Sequence, residues 1–137
     1  MERPRKTRQL RTSGLRLRAT IPGVLFVASG VLHFVRPLWY QGIVPPQFGH
    51  TAELVAISGI AEIAGGIGLL VPRTRRAAGL GLIALLIAVW PANIFMAVEA
   101  ERFARLAPAW ALWVRVPLQV VLMWWVERAS RSAGERG

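Results

Sequence analysis

Two charged residues interrupt long apolar stretches of this 137-residue chain and are the first candidates for chemistry. Glu62 lies near the middle of the stretch from Leu54 to Pro72, and Arg115 lies within the stretch from Ala107 to Val126. Each stretch is long enough to cross a bilayer, where a charged side chain is costly and usually pairs with another charge. Because a nearby guanidinium favours the charged form of a carboxyl, the sequence predicts that Glu62 is ionised and paired with Arg115.

Three further polar residues reach a similar depth within apolar stretches. At 1.5 Å per residue, Asn93 lies about 24 Å and His33 about 21 Å from the basic ends of their stretches. Counted from Ala52 on the opposite, outer side, Glu62 lies about 15 Å inward, and Gln119 lies one helical turn beyond Arg115 on the same face. We therefore predict one internal polar cluster in the outer half of the membrane, formed by His33, Glu62, Asn93, Arg115 and Gln119.

Each member of this cluster also has a structural interpretation, and the sequence leaves both open. The Glu62–Arg115 pair can fix the register of two helices without binding anything. His33 can be a hydrogen-bonded packing residue instead of a proton donor. Asn93 can bridge two helices or repair the kink at Pro91, whose ring removes one backbone donor.

The remaining polar residues point to little additional chemistry. Arg36 and Glu53 are predicted to form an exposed pair at the outer boundary, which contributes little to stability. The histidines His33 and His50 lack the spacing of metal ligands, and the chain has no cysteine, so neither a metal site nor thiol chemistry is predicted. No nucleophile with an adjacent base and no phosphate-binding loop is recognisable, so the catalytic residues are unknown.

Four apolar blocks must position these residues. Apolar residues make up 54% of the chain, and the mean hydropathy is +0.44. About 20 apolar residues in a helix cover the hydrocarbon core of a bilayer. The sequence therefore predicts an all-α fold, a bundle of four transmembrane helices. The predicted spans are Ala19–Val35, Leu54–Pro72, Ala77–Val98 and Ala107–Val126.

The distribution of basic residues predicts the orientation of this bundle. The net charge is +10, and seven of the 17 basic residues precede the first span. The segments between spans two and three and after span four are also basic, which predicts that both termini are cytoplasmic. The predicted division is a mobile basic tail (1–18), a membrane domain (19–126) and a polar tail (127–137). Since almost no soluble domain remains, the predicted partner is the lipid bilayer and not nucleic acid.

Several short motifs follow one another along the four spans. In chain order they are Leu32-His33-Phe34 with Pro37 and Tyr40, Ser58-Gly59 with Glu62, Gly68-Leu69-Leu70 with Pro72, Pro91-Ala92-Asn93 with Met96, and Arg115 with Gln119. Over residues 19–126 their order and spacing resemble the DoxX-like family of small membrane proteins. The resemblance implies a four-helix integral protein of the bacterial inner membrane. It also implies an association with redox processes, since some relatives are linked to quinone-coupled sulfur oxidation or to maturation of redox proteins.

Two functional hypotheses follow. In the first, the protein is a non-catalytic accessory or anchoring subunit of a membrane redox complex, or a homo-oligomer, and requires no cofactor. In the second, the Glu62/Arg115 cluster directly binds, or acts on, a quinone or a lipid-like small ligand. Arg115 and Gln119 would then contact ligand oxygens, and His33 would be a proton donor.

Overall fold

The computed structural model describes residues 4–131, with side chains from Arg18 onward. This part of the chain is helical and contains no strand. Four of its helices are long and apolar enough to cross a membrane, which confirms the predicted fold class and the four predicted spans. The helices are α1 (Pro4–Val35), α2 (Pro37–Ile43), α3 (Thr51–Leu70), α4 (Arg75–Val98) and α5 (Ala109–Ser130), with a short 3-10 helix at Pro46–Phe48.

The first helix is longer than the sequence predicted. α1 begins at Pro4 and runs without interruption into the apolar segment, so the part of the predicted tail that is described is helical. Pro22 lies inside this helix and is fully buried. At the other end, α5 continues to Ser130, beyond the predicted boundary at Val126. Residues 1–3 and 132–137 of the two predicted tails lie outside the described residues.

Glycines allow α1 and α3 to approach each other closely at two levels. A Cβ atom on Gly30 would lie 2.6 Å from the carbonyl oxygen of Gly59, and one on Gly66 would lie 2.6 Å from the carbonyl oxygen of Gly23. Real Cβ atoms essentially never approach so closely, so a larger residue at either level would separate the backbones. The contacts repeat after seven residues on each helix, which is two helical turns.

A tight turn joins α3 to α4 at the end of the bundle that we call the basic end. Arg75 is buried there, and its Nε donates a hydrogen bond of 2.8 Å to the carbonyl oxygen of Leu69. The Thr74 hydroxyl donates to the carbonyl oxygen of Gly68 at 3.0 Å. Both side chains satisfy carbonyls that the last turn of α3 leaves without partners. Arg75 therefore stabilises a helix end in addition to contributing positive charge.

Two apolar cores lie along the bundle, one toward each end. The core toward the basic end contains Leu69, Leu82, Leu86 and Val126. The core toward the opposite end, which we call the loop end because α2 lies there, contains Met96, Ala97, Phe103 and Leu112. Along α4 and α5, the sequence between these two cores contains the buried polar residues Asn93 and Gln119.

Candidate ligand site

His33 of α1 and Glu62 of α3 face each other across the close contact between these helices. Each lies three residues beyond a contact glycine, and the Cβ atoms of both side chains pack against the opposite glycine position, Gly59 for His33 and Gly30 for Glu62. His33 Nε2 lies 3.8 Å from Glu62 Oε1, and both side chains are about nine-tenths buried. The small residues thus bring an imidazole and a carboxyl together inside an apolar helix pair.

The hydrogen bonding of His33 determines which of its nitrogens holds a proton. Nδ1 lies 3.0 Å from the carbonyl oxygen of Ser29, one turn earlier in α1. A carbonyl oxygen can only accept, so Nδ1 must donate and therefore bears hydrogen. In the neutral imidazole, Nε2 then has a lone pair facing Glu62. One proton on either the carboxyl group or Nε2 makes the pair electrically neutral, and neutrality is favoured at this depth in a membrane.

Glu62 has one oxygen atom without a partner. Its Oε2 is buried and makes no hydrogen bond to any described residue. The Ser29 side chain lies beside the carboxyl group but does not satisfy this atom. A buried acceptor or donor left unpaired typically costs about 1 to 3 kcal/mol, and more if it is charged. The atom is therefore a point at which a bound molecule could form a hydrogen bond that the protein itself does not form.

Tyr40 covers the imidazole from the loop end. α2 begins directly after Arg36, and this change of direction stacks the Tyr40 ring on His33 with 3.7 Å between ring centroids. Burial raises the pKa of the Tyr40 hydroxyl above its usual value of 10.0, and the nearby Glu62 carboxylate raises it further. Ser29 and Arg115 act in the opposite direction and lower the pKa. His33, Glu62, Tyr40 and Ser29 thus form one group, which we call the acid site.

Arg115 lies at the edge of the acid site and not inside it. Its side chain is exposed, and it forms no ion pair with Glu62, whose nearest charged partner is His33. The structure therefore does not contain the predicted Glu62–Arg115 pair. The reason is that α3 presents Glu62 to α1, while Arg115 on α5 remains outside that interface. Its influence on Tyr40 nevertheless places its positive charge near the acid site.

Asn93 and Gln119 form a separate group between α4 and α5. Asn93 Nδ2 donates to Gln119 Oε1 at 2.8 Å, and Gln119 Nε2 donates to the carbonyl oxygen of Leu86 at 2.8 Å. Both side chains are buried. No hydrogen bond or ion pair within the described part of the chain joins them to His33 or Glu62. The single predicted cluster is thus two groups, and we call the second the amide layer.

The amide layer is reinforced by a hydrogen bond in the opposite direction. Trp90 Nε1 on α4 donates to the carbonyl oxygen of Val116 on α5 at 3.1 Å. Each helix therefore donates one side-chain hydrogen bond to a backbone carbonyl of its neighbour. Leu86 and Val116 lie close in sequence to the prolines within these helices, Pro91 and Pro117, whose rings leave the carbonyls of Ile87 and Trp113 without an N–H donor. The amide layer thus links two helices that each contain a proline.

A family model described as "Domain of unknown function (DUF8561)" matches residues 23–130. The chain belongs to the DUF8561 family. The matched region includes the acid site, the amide layer and all of α3, α4 and α5. No curated protein and no solved structure matches the chain.

The outer-boundary pair predicted for this DUF8561 chain is not formed. The Arg36 guanidinium lies over the Trp39 ring, 4.9 Å from its centroid. Glu53 instead lies beside His50, with 4.0 Å between Oε1 and Nδ1. Arg36 and Glu53 are both exposed, and each interacts with a residue three positions away in sequence.

Sequence reasoning missed three residues of these two groups in the DUF8561 chain. Ser29 precedes His33 by one helical turn, a spacing that could have indicated the hydrogen bond to the imidazole. Trp90 directly precedes Pro91, but nothing in the sequence indicated which carbonyl its indole would reach. The stacking of Tyr40 on His33 depends on the angle between α1 and α2, which the sequence does not indicate.

Proposed function

We propose that this multi-pass membrane protein binds a small, oxygen-bearing ligand of the quinone type at the acid site. The observation that supports this proposal is the buried, unpartnered Oε2 of Glu62, in a carboxyl group whose other oxygen lies 3.8 Å from His33 Nε2. Glu62 can donate to a ligand carbonyl when its carboxyl group is protonated, and it can accept from a ligand hydroxyl in either state. The proposal is for binding, and it includes no redox step.

The surroundings of the acid site suit an amphipathic ligand. Tyr40 contributes an aromatic face and a hydroxyl, and Arg115 contributes a positive charge at the edge. Phe34, next to His33 on α1, packs against Gly59 of α3 and is a half-exposed apolar residue. A ring with polar oxygens could thus be held by the acid site while an apolar tail remains in the lipid.

The location and orientation are part of this proposal. We place the protein in the bacterial inner membrane with both termini in the cytoplasm, because the basic turn Arg73–Arg76 and the end of α5 lie on the same side of the bundle. The acid site then lies in the outer half of the membrane. A relationship to DoxX-like proteins and a role in redox processes remain predictions that are based on the motifs alone.

The accessory-subunit hypothesis is the second candidate, and the amide layer favours it. A hydrogen-bonded pair of buried side chains between two helices rigidifies the bundle without requiring a ligand. In this case the protein would purify with a partner subunit or as an oligomer, and the acid site would contribute only to folding.

Ligand binding can be tested with a short-chain ubiquinone as the probe. The purified protein in mild detergent is titrated with the probe while tryptophan fluorescence is measured. We expect saturable quenching for the wild type. We expect at least tenfold weaker binding for Glu62→Gln, because hydrogen bonds that involve a charged group contribute about 1.5 to 3 kcal/mol. We expect a smaller loss for Arg115→Gln, since this residue lies at the edge of the site.

The controls are Glu53→Gln and Arg105→Gln, which make the same chemical changes at exposed positions of the loop end. Helical circular dichroism and size-exclusion profiles establish that each variant is folded. Equal loss of binding in the controls, or no saturable quenching of the wild type, would overturn the proposal. A co-purified partner protein together with an absence of quinone binding would support the accessory-subunit hypothesis instead.

A further inference from the structure

A groove on the surface of α4 and α5 lies near the basic end, away from the acid site. Its volume is about 540 Å³. Ile83, Val120 and Trp124 contribute its apolar side, and Val120 and Trp124 are more than half exposed. Glu127 and Arg128 on the last turns of α5, followed by Arg131 at its end, form the charged side. The groove therefore changes from apolar to charged in the direction of the basic end.

The charges at this end of the groove are predominantly positive. Glu127 accepts hydrogen bonds from Arg76 Nη1 at 3.0 Å and from Arg131 Nε at 2.7 Å, so its negative charge is balanced by two arginines. The Arg128 guanidinium lies over Trp124, 5.0 Å from the ring centroid. This contact with the ring face uses none of the five N–H donors of Arg128 in a hydrogen bond. Three arginines and one glutamate thus leave an excess of positive charge.

We propose that this groove binds one anionic phospholipid. The phosphate would lie at Arg128 and Arg131, and one acyl chain would lie along Val120 and Ile83. This occupant is favoured because the groove has both parts that a phospholipid requires, a basic end and an apolar channel on a membrane-facing surface. Basic pockets beside transmembrane helices are suited to anionic headgroups, and Trp124 is of the residue type that prefers the headgroup level.

The proposal can be tested by thermal unfolding and by native mass spectrometry. The wild-type protein is measured in detergent with added phosphatidylglycerol or phosphatidylcholine. We expect phosphatidylglycerol to raise the melting temperature more and to remain bound as a single molecule. Arg128→Gln should weaken phosphatidylglycerol binding about fivefold, the factor expected for one basic residue near a lipid surface. Val120→Trp should also weaken binding, because the larger ring fills the channel.

Two matched variants serve as controls. Arg105→Gln removes the same charge at the loop end, and Val121→Trp adds the same ring at an exposed neighbouring position that does not line the groove. Both should bind phosphatidylglycerol like the wild type. Equal weakening by Arg128→Gln and Arg105→Gln would indicate diffuse attraction and overturn the proposal. Protection by inorganic phosphate that is unaffected by Val120→Trp would also overturn it, because an anion alone would then occupy the site.

Discussion

The amide layer and the acid site both bury polar side chains between membrane-spanning helices, but their bonding differs. In the amide layer, Asn93 donates to Gln119 and Gln119 donates to the carbonyl oxygen of Leu86. In the acid site, His33 and Glu62 lie 3.8 Å apart, and Glu62 Oε2 has no partner among the described residues. One group is joined by short hydrogen bonds, whereas the other retains unused bonding capacity.

This difference indicates what each group is suited to do. A bonded network in a low-dielectric interior rigidifies the fold and has little to offer a ligand. An unpartnered polar atom destabilises the free protein and is retained most readily where a bound molecule supplies the missing partner. The comparison therefore associates stability with α4 and α5, and binding with the contact between α1 and α3. The same substitution at the two groups should then have opposite effects.

The largest effect on stability is expected for Gln119→Met. Methionine is similar in size but removes the acceptor of Asn93 and the donor to Leu86, so two buried polar groups lose their partners. We expect the free energy of unfolding to fall by about 2 kcal/mol, within the usual range for such a loss. Unfolding in mixed detergent micelles, followed by circular dichroism, measures it. A change below about 0.5 kcal/mol, which is typical of exposed positions, would show that the amide layer is not structural.

Glu62→Met is expected to raise the free energy of unfolding, and by less than Gln119→Met lowers it. It replaces a buried carboxyl group whose Oε2 is unpartnered by an apolar side chain of similar length. We expect the free energy of unfolding to rise by about 1 kcal/mol, because the change removes a buried oxygen that has no partner while His33 keeps its hydrogen bond to the Ser29 carbonyl. The measurement is the same as for Gln119→Met, and each variant is the other's control. A loss of stability as large as that of Gln119→Met would remove the distinction between the two groups.

The sequence predicted the helices well because their signal is local. A block of about 20 apolar residues is enough to indicate a membrane span, and the four predicted blocks correspond to α1, α3, α4 and α5. The segment between predicted spans one and two likewise contains only short elements, α2 and the 3-10 helix. What the sequence could not show was which face of each helix meets which neighbour.

That missing information explains the errors at the candidate site. Depth alone placed Glu62 near Arg115, but the glycine contacts rotate Glu62 toward α1 and thus toward His33. Gln119 shares a helix with Arg115, yet it is buried against α4 while Arg115 is exposed. Similar depth was therefore necessary for a common site and not sufficient, because rotation about the helix axis determines the partners.

The most local effect expected is on the titration of Tyr40. Tyr40 is the only tyrosine of the chain, so tyrosinate absorbance reports on the acid site alone. Because burial and the Glu62 charge raise its pKa above 10.0, less than half of Tyr40 should be ionised at pH 10. Glu62→Gln removes a negative charge and should lower this pKa, whereas Arg115→Gln removes a positive charge and should raise it.

The two variants should shift the Tyr40 pKa in opposite directions, which makes this measurement informative about the acid site. A general loosening of the fold would expose Tyr40 in both variants and lower its pKa in both, toward the value in water. Gln119→Met provides the matched comparison, because the amide layer has no hydrogen bond to the acid site and, if the fold is retained, this change should leave the Tyr40 titration unchanged. A Tyr40 pKa that responded to Gln119→Met as strongly as to Glu62→Gln would mean that the two groups act as one. The separate assignment of binding and stability would then be wrong.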